Sequence, residues 1–195
     1  MSELVILAST SSYRKLLLEK LGIPFETCSI DTDETPMQDE TAPDLVTRLA
    51  IAKAVAGAKG KTNGVVIGSD QVAVIDGEII GKPLNTENAV KQLMACSGKA
   101  ITFYTGLALY NVADDSFDAQ YETFTVHFRT LTESQIRYYV DKEQPLYCAG
   151  SFKSEGLGIA LFSRLEGRDP NTLIGLPLIL LTEMLAKQNI DVLSH

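Results

Sequence analysis

Short, wholly apolar runs alternate with amphipathic stretches along the chain, and few architectures accept that pattern. Val5-Ile6-Leu7-Ala8 and Val65-Val66-Ile67-Gly68 offer no charged position, as strands covered on both faces require. Glu3 to Ala8 therefore reads as a buried strand, and Val65 to Gly68 as another that opens into Ser69-Asp70-Gln71. Between them lie helix signals. Ser9-Thr10-Ser11-Ser12 can cap a helix that carries Leu16, Leu17 and Leu21 and stops at Gly22. Ile23 to Asp33 reads as extended and Asp31 to Glu40 as an acidic loop. A second helix is expected over about Pro43 to Ala58, with Pro43 suited to its first turn.

The second half repeats the interleaving. Val72 to Ile75 and Glu78 to Ile80 flank Asp76-Gly77, a two-residue hairpin signal. A helix over about Glu87 to Cys96 is closed by Gly98. Ile101 to Asn111 and Gln120 to Arg129 read as a second hairpin around Ala113-Asp114-Asp115, with Phe124, Val126 and Phe128 in period-two alternation. Thr132-Glu133-Ser134-Gln135 is a capping box for a helix that ends before Pro145. Cys148 to Asn171 reads as irregular, and Leu176 to Gln188 as the last helix. Strands interleaved with helices define an α/β class, here expected as a single domain over residues 1–195.

Charge narrows the partners. A net charge of −8 excludes a bulk basic footprint for nucleic acid polymers or anionic membranes. The apolar stretch from Leu173 to Leu181 is broken by Gly175 and Pro177 and is too short to span a bilayer. Cys28, Cys96 and Cys148 are scattered, with no CxxC or Cys/His cluster, so free thiols in a reducing compartment are expected. Met1-Ser2-Glu3 lacks a basic leader, and a cytoplasmic location is the expectation.

A few polar residues stand in odd places. Arg14 and Lys15 occupy the first turn of a helix, where the dipole disfavours cations. A bound anion would offset that; so would plain solvation of both side chains. Lys53 falls on the core side of its helix, between Leu49 and Val46, where it must either snorkel or reach a carboxylate or phosphate. Asp70 just beyond a buried strand stands where α/β folds place ligands, although a turn-former capping its own backbone fits too. Lys82, between Gly81 and Pro83 in a stiff turn, is a further candidate for a phosphate. His127 and His195 have no partner spaced for metal or nucleophilic work, and GxSxG, HExxH and GxGxxG are all absent.

Taken together, these segments resemble the Maf family of nucleotide pyrophosphatases. The likeness rests on Leu7-Ala8-Ser9-Thr10-Ser11 with Arg14, Asp33-Glu34-Thr35, Ile67-Gly68-Ser69-Asp70-Gln71-Val72, Gly81-Lys82-Pro83 and Phe103-Tyr104-Thr105-Gly106. It continues through Gly150-Ser151-Phe152-Lys153-Ser154-Glu155-Gly156 and Glu166-Gly167-Arg168-Asp169-Pro170-Asn171-Thr172. Within the family, the chain is similar to the branch acting on 7-methyl-GTP.

The resemblance implies a mixed, elongated, twisted sheet flanked by helices, with two lobes around a central cleft, as in inosine triphosphate pyrophosphatases. It implies hydrolysis of a nucleoside triphosphate to monophosphate and pyrophosphate with a divalent cation, magnesium, manganese or cobalt. Carried onto matching positions, Asp70 is the proton acceptor, with Glu34 and Lys82 beside it in catalysis. Asp70 and Glu34 would hold the metal, and Ser9, Arg14, Lys53 and Lys82 the phosphates. Tyr13, Gln71 and Glu155 would set base specificity: Glu155 can accept from the N1 and N2 edge of guanine, and Tyr13 offers a face to a cationic methylated purine. The site is expected to be locally positive. Two alternatives stay open: UTP, dTTP or another modified nucleotide as substrate, or a nucleotide-binding regulator of cell division. A homodimer is an expectation by analogy.

Overall fold

The computed structural model describes residues 4–194. In chain order the regular elements are β1 (Val5–Ala8), α1 (Ser12–Glu19), β2 (Glu26–Cys28), α2 (Ala42–Ala58), β3 (Val65–Ile75), β4 (Glu78–Ile80) and α3 (Thr86–Cys96). They continue with β5 (Ala100–Asn111), β6 (Ser116–Phe128), α4 (Glu133–Glu143), β7 (Phe162–Gly167), α5 (Pro170–Ile174) and α6 (Leu178–Lys187). Among the described residues, seven strands form one sheet in the order β2-β1-β3-β5-β6-β7, with β4 paired to β3 off that path. β1 runs parallel to both β2 and β3, setting Leu7 opposite Thr27 and Ile67, while β3–β4 and β6–β7 are antiparallel. The class is α/β with a mixed sheet, as expected. No helix among the described residues is long and apolar enough to cross a membrane.

The chain divides into two compact units. The first comprises residues up to Gln71, Thr105–Glu122 and residues from Asn171 onward; the second comprises Val72–Tyr104 and Thr123–Pro170. In the first, strand periodicity sorts the core into two layers. Val5, Leu7, Val65, Ile67, Leu107 and Leu109 pack with Leu17 and Leu18 of α1 and Leu181, Met184 and Leu185 of α6. Their strand neighbours Ile6, Ala8, Val66 and Ala108 pack instead on Ala50, Ala54 and Ala58 of α2. Alternate side chains of β1, β3 and β5 thus serve opposite faces of the sheet, which is why these strands read as unbroken apolar runs.

Local signals account for the helix ends. Ser11 Oγ accepts from the Arg14 amide, Thr41 Oγ1 from Asp44 and Asn85 Oδ1 from Asn88, at the starts of α1, α2 and α3. The Thr132/Gln135 capping box forms, and α4 ends with Gln144 in the left-handed region. Asp76 and Gly77 both have positive φ, as a tight β3–β4 turn requires.

Three expectations need correction. β3 is one strand from Val65 to Ile75, so Asp70 sits in its middle rather than beyond a strand end. Gly68 and Ser69 resemble a turn by composition, yet both are buried against other chain segments and stay extended. Between residues 148 and 171, read as irregular, lies β7, whose residues after Phe162 are all exposed and therefore carry no apolar alternation. Only Glu26–Cys28 of the stretch 23–33 pairs as a strand. His195 lies outside the described residues, as do Met1 to Glu3.

Candidate active site

The site begins with the approach of α2 to the sheet. A Cβ at Gly68 would stand 2.1 Å from the Ala50 carbonyl oxygen and 2.6 Å from the Ala54 nitrogen, and one at Gly106 2.1 Å from the Val46 oxygen. Glycine at both positions lets helix and strand backbones touch. Lys53, 6% exposed, then faces Asp70, 8% exposed, because Asp70 shares the face of β3 that carries Val66 and Gly68. Lys53 Nζ lies 2.6 Å from Asp70 Oδ1 and 2.6 Å from Glu34 Oε1. A buried ammonium needs such partners, since desolvation without them costs several kcal/mol, by order of magnitude. Of the two readings open for Lys53, the structure shows the carboxylate pairing and not snorkelling to solvent.

Ser69 and Gln71 point to the other face. Ser69 Oγ donates to the Gly175 carbonyl at 3.2 Å, and Arg14 Nε donates to that same oxygen at 2.9 Å. Gln71 Nε2 donates to Thr105 Oγ1 at 2.9 Å and to the Thr172 carbonyl at 2.8 Å; Thr105 Oγ1 in turn donates to the Thr172 carbonyl at 3.1 Å. Gly175 has a φ of 123°, and a Cβ there would lie 3.6 Å from Arg14 Nε, so the arginine side chain rests on bare backbone. Burial pushes the Arg14 guanidinium below its usual pKa, while the charges of Asp70 and Glu34 raise it.

The remaining predicted residues divide between the units. Ser9 is half-buried, and its hydroxyl accepts from the Ser11 amide at 3.1 Å, beside the start of α1. Tyr13 is 38% exposed. The first unit therefore gathers Glu34, Lys53 and Asp70, with Arg14 near enough for both carboxylates to act on its charge. Lys82 and Glu155 belong to the second unit, and both are exposed. There, burial raises the Cys148 thiol pKa, with Lys153 and Lys82 opposing and Glu155 adding to the rise. Asp33 stays outside the site: its carboxylate accepts from the Thr35 amide at 2.9 Å. His127 pairs with Glu166 at 3.0 Å across the partly exposed antiparallel β6–β7 strand pair.

Within the first unit Lys53 is paired by both Asp70 and Glu34, whose charges also act on Arg14. The cause is burial, which forces ionised groups to pair. Sequence reading missed Thr105, Thr172 and Gly175 as parts of the site. Thr105-Gly106 and Thr172 stood within the recognisable segments; for Gly175 the only signal was a glycine interrupting an apolar stretch.

The donor set fits a hard divalent cation. Asp70 and Glu34 converge on a single cationic atom, Lys53 Nζ, at 2.6 Å each. Magnesium-type ions take one or two carboxylates and complete their shell with water and substrate phosphate oxygens. No cluster of three or more His, Cys, Asp or Glu residues occurs among the described residues, so a cage built from protein ligands alone is not formed there.

A family model described as Maf-like protein matches residues 4–188. The chain belongs to the Maf family. It is 60% identical over 189 residues to a protein of Vibrio parahaemolyticus serotype O3:K6 (strain RIMD 2210633) named 7-methyl-GTP pyrophosphatase, covering 97% of both chains. Two solved structures share the fold: the Staphylococcus aureus Ham1 protein, with a TM-score of 0.55 at 15% identity, and a HAM1 protein from Coxiella burnetii, with 0.56 at 14%. Each covers 95% of this Maf chain and is itself covered completely.

Proposed function

We propose that this Maf protein hydrolyses 7-methyl-GTP to 7-methyl-GMP and pyrophosphate. Pyrophosphatase chemistry, a hydrolase activity on phosphoric anhydride bonds, is what it has in common with its 60% identical relative. The observation that carries the reading is the buried Asp70–Lys53–Glu34 arrangement with Arg14 beside it.

In this mechanism water oxygen attacks the α-phosphorus, the bond to the α–β bridging oxygen breaks, and pyrophosphate leaves. Asp70 orients the water and takes its proton on a carboxylate oxygen. Lys53 Nζ, 2.6 Å from Asp70 Oδ1, fixes that carboxylate and neutralises charge nearby. Arg14 presents a planar guanidinium to phosphate oxygens, and Ser9 a hydroxyl at the start of α1. A divalent ion held by Asp70 and Glu34 would supply charge neutralisation for the phosphates. Lys82 adds a phosphate-binding ammonium. For the base, Tyr13 offers an aromatic face to the cationic purine, and the Glu155 carboxylate accepts from guanine donors.

The test is pyrophosphate release from 7-methyl-GTP, GTP, UTP and dTTP, each with magnesium, manganese, cobalt or EDTA. The expected result is the highest kcat/KM with 7-methyl-GTP and loss of turnover in EDTA. Preference for UTP or dTTP would replace the substrate, and binding without turnover under every metal would replace the enzyme by a regulator.

A further inference from the structure

We infer that Tyr139 and Glu143 of α4 are positioning residues for base selection, holding in place the turn that carries Glu155. The inference rests on the base-reading role proposed above for Glu155. That side chain is exposed within the turn formed by residues 154–156, and its carboxylate accepts from Ser154 Oγ at 3.4 Å. A carboxylate that accepts from two guanine donors at once must be placed to within about 0.5 Å, so the backbone beneath it has to be fixed.

The end of α4 supplies that fixing from one face. Tyr139 and Glu143 are four residues apart and lie one above the other on the helix. Tyr139 is 2% exposed, and its hydroxyl accepts from the Lys153 amide at 2.9 Å. Glu143 is the last residue of α4, where carbonyls have no partner within the helix. Its carbonyl oxygen accepts from Lys153 Nζ at 2.7 Å, and its carboxylate Oε1 accepts from the Leu157 amide at 3.2 Å. Leu157 opens a short 3-10 helix, Leu157–Leu161, whose capping residue Gly156 has no side chain to offer. The Glu143 carboxylate takes that place. Glu155 therefore sits between two anchored residues, Lys153 and Leu157.

The turn is also closed on itself. The Gly156 amide donates to the Lys153 carbonyl at 3.3 Å, and a Cβ at Gly158 would stand 2.1 Å from that same oxygen. A Cβ at Gly156 would lie 3.1 Å from Glu143 Oε2, so glycine lets the carboxylate rest against the turn. A turn closed in this way is placed as a unit, and the two side chains of α4 set where it stands.

The experiment measures kcat and KM for 7-methyl-GTP and GTP, and calorimetric affinity for inorganic tripolyphosphate, which has no base. The variants are Tyr139→Phe, Glu143→Met, Glu143→Gln, Glu155→Ala and the double variant Glu143→Met/Glu155→Ala. Expected for Tyr139→Phe and Glu143→Met is a rise in both KM values of about fivefold, matching one hydrogen bond, with kcat kept within about twofold. Glu143→Gln keeps an oxygen acceptor and stays within about twofold of the native chain. Tripolyphosphate affinity of these three variants also stays within about twofold, because the lost bonds serve the base. On the Glu155→Ala background, Glu143→Met adds less than about twofold, the non-additivity of groups acting through one another.

Unchanged KM in Tyr139→Phe or Glu143→Met, beside a raised KM in Glu155→Ala, would overturn the inference alone. Unchanged KM in Glu155→Ala would defeat the base-reading role of Glu155, and this inference with it. Equal losses of nucleotide and tripolyphosphate affinity, or an equal rise in KM with and without Glu155, would overturn it in favour of a general structural role. If Tyr139→Phe melts well below the native chain, the pair Glu143→Met and Glu143→Gln decides. A preferred nucleotide other than 7-methyl-GTP would defeat the proposed substrate and leave the GTP arm of the test standing.

Discussion

The two units meet the same problem, titratable groups inside a protein, with opposite solutions. In the first, Lys53 and Asp70 are buried as an ion pair, held by α2 and β3 within a largely aliphatic core. In the second, burial raises the pKa of Tyr139 and Cys148 and pushes the Cys96 thiol up to about 12, keeping these groups neutral. Its core is aromatic: Phe103, Phe128, Phe152 and Phe162 meet edge-to-face, with centroids from 4.8 to 5.7 Å apart. The first unit thus keeps a buried charge pair, whereas these tyrosine and cysteine side chains stay neutral, although the second unit also buries Asp169.

The largest effect should come from Asp70→Asn, which keeps the shape and removes the proton acceptor. About a thousandfold loss of kcat, roughly 4 kcal/mol in the barrier, is expected in a steady-state assay, with the fold retained by circular dichroism. An unaffected rate would remove the functional side of the contrast. Phe152→Ala approaches from the other side: three ring contacts vanish, for a loss of roughly 3–5 kcal/mol in denaturant unfolding. Below its unfolding range this variant should keep Asp70-dependent turnover; if turnover disappears first, the units are not functionally separable.

Gly68→Ala sharpens the first unit's side of the contrast. Its new methyl group meets α2 backbone, which must shift, so about 1–3 kcal/mol of stability and a measurable fall in kcat are expected together. Equal activity in the variant would show that the Lys53–Asp70 contact does not depend on this close approach. The smallest effect concerns Glu40, whose carboxylate accepts from Arg48 Nε at 2.6 Å and Nη2 at 2.8 Å and from the Met37 amide. The Arg48 bonds, ahead of the Met37 bond, hold its pKa at about 2, below the ordinary 4.5. A lowered folded-state pKa gives stability that is complete above about 4.5 and fades as pH falls toward 2. Thermal melts of the native chain and Glu40→Gln should therefore differ at pH 6, differ less at pH 3 and converge toward pH 2.

Much of this was legible in the residues. The apolar runs of β1 and β3, the Asp76-Gly77 turn and the Thr132 capping box each carry a local physical cause, and each formed. Lys53 was visible as a cation out of place. β7 was invisible because an exposed strand is held by its pairing with β6, a long-range contact without a pattern of its own. Asp70 was placed at a strand end because Gly68-Ser69 looks like a turn; only the proximity of Ala50 and Ala54 explains glycine inside a strand. The pairing of Lys53 with both Asp70 and Glu34 was left open for a related reason, since sequence shows which residues are charged and not which ones meet.

One feature of β3 governs how this protein can change over time. Ser69, Asp70 and Gln71 are consecutive, yet the middle one faces α2 and the outer two face the segment 172–175. A substitution at any of them alters one face only. Inserting or deleting a single residue upstream in the strand would exchange the faces, turning the carboxylate toward the Gly175 carbonyl and a hydroxyl or amide toward Lys53. Gene variants in this stretch should therefore accumulate as replacements at constant length, and length changes should be confined to loops.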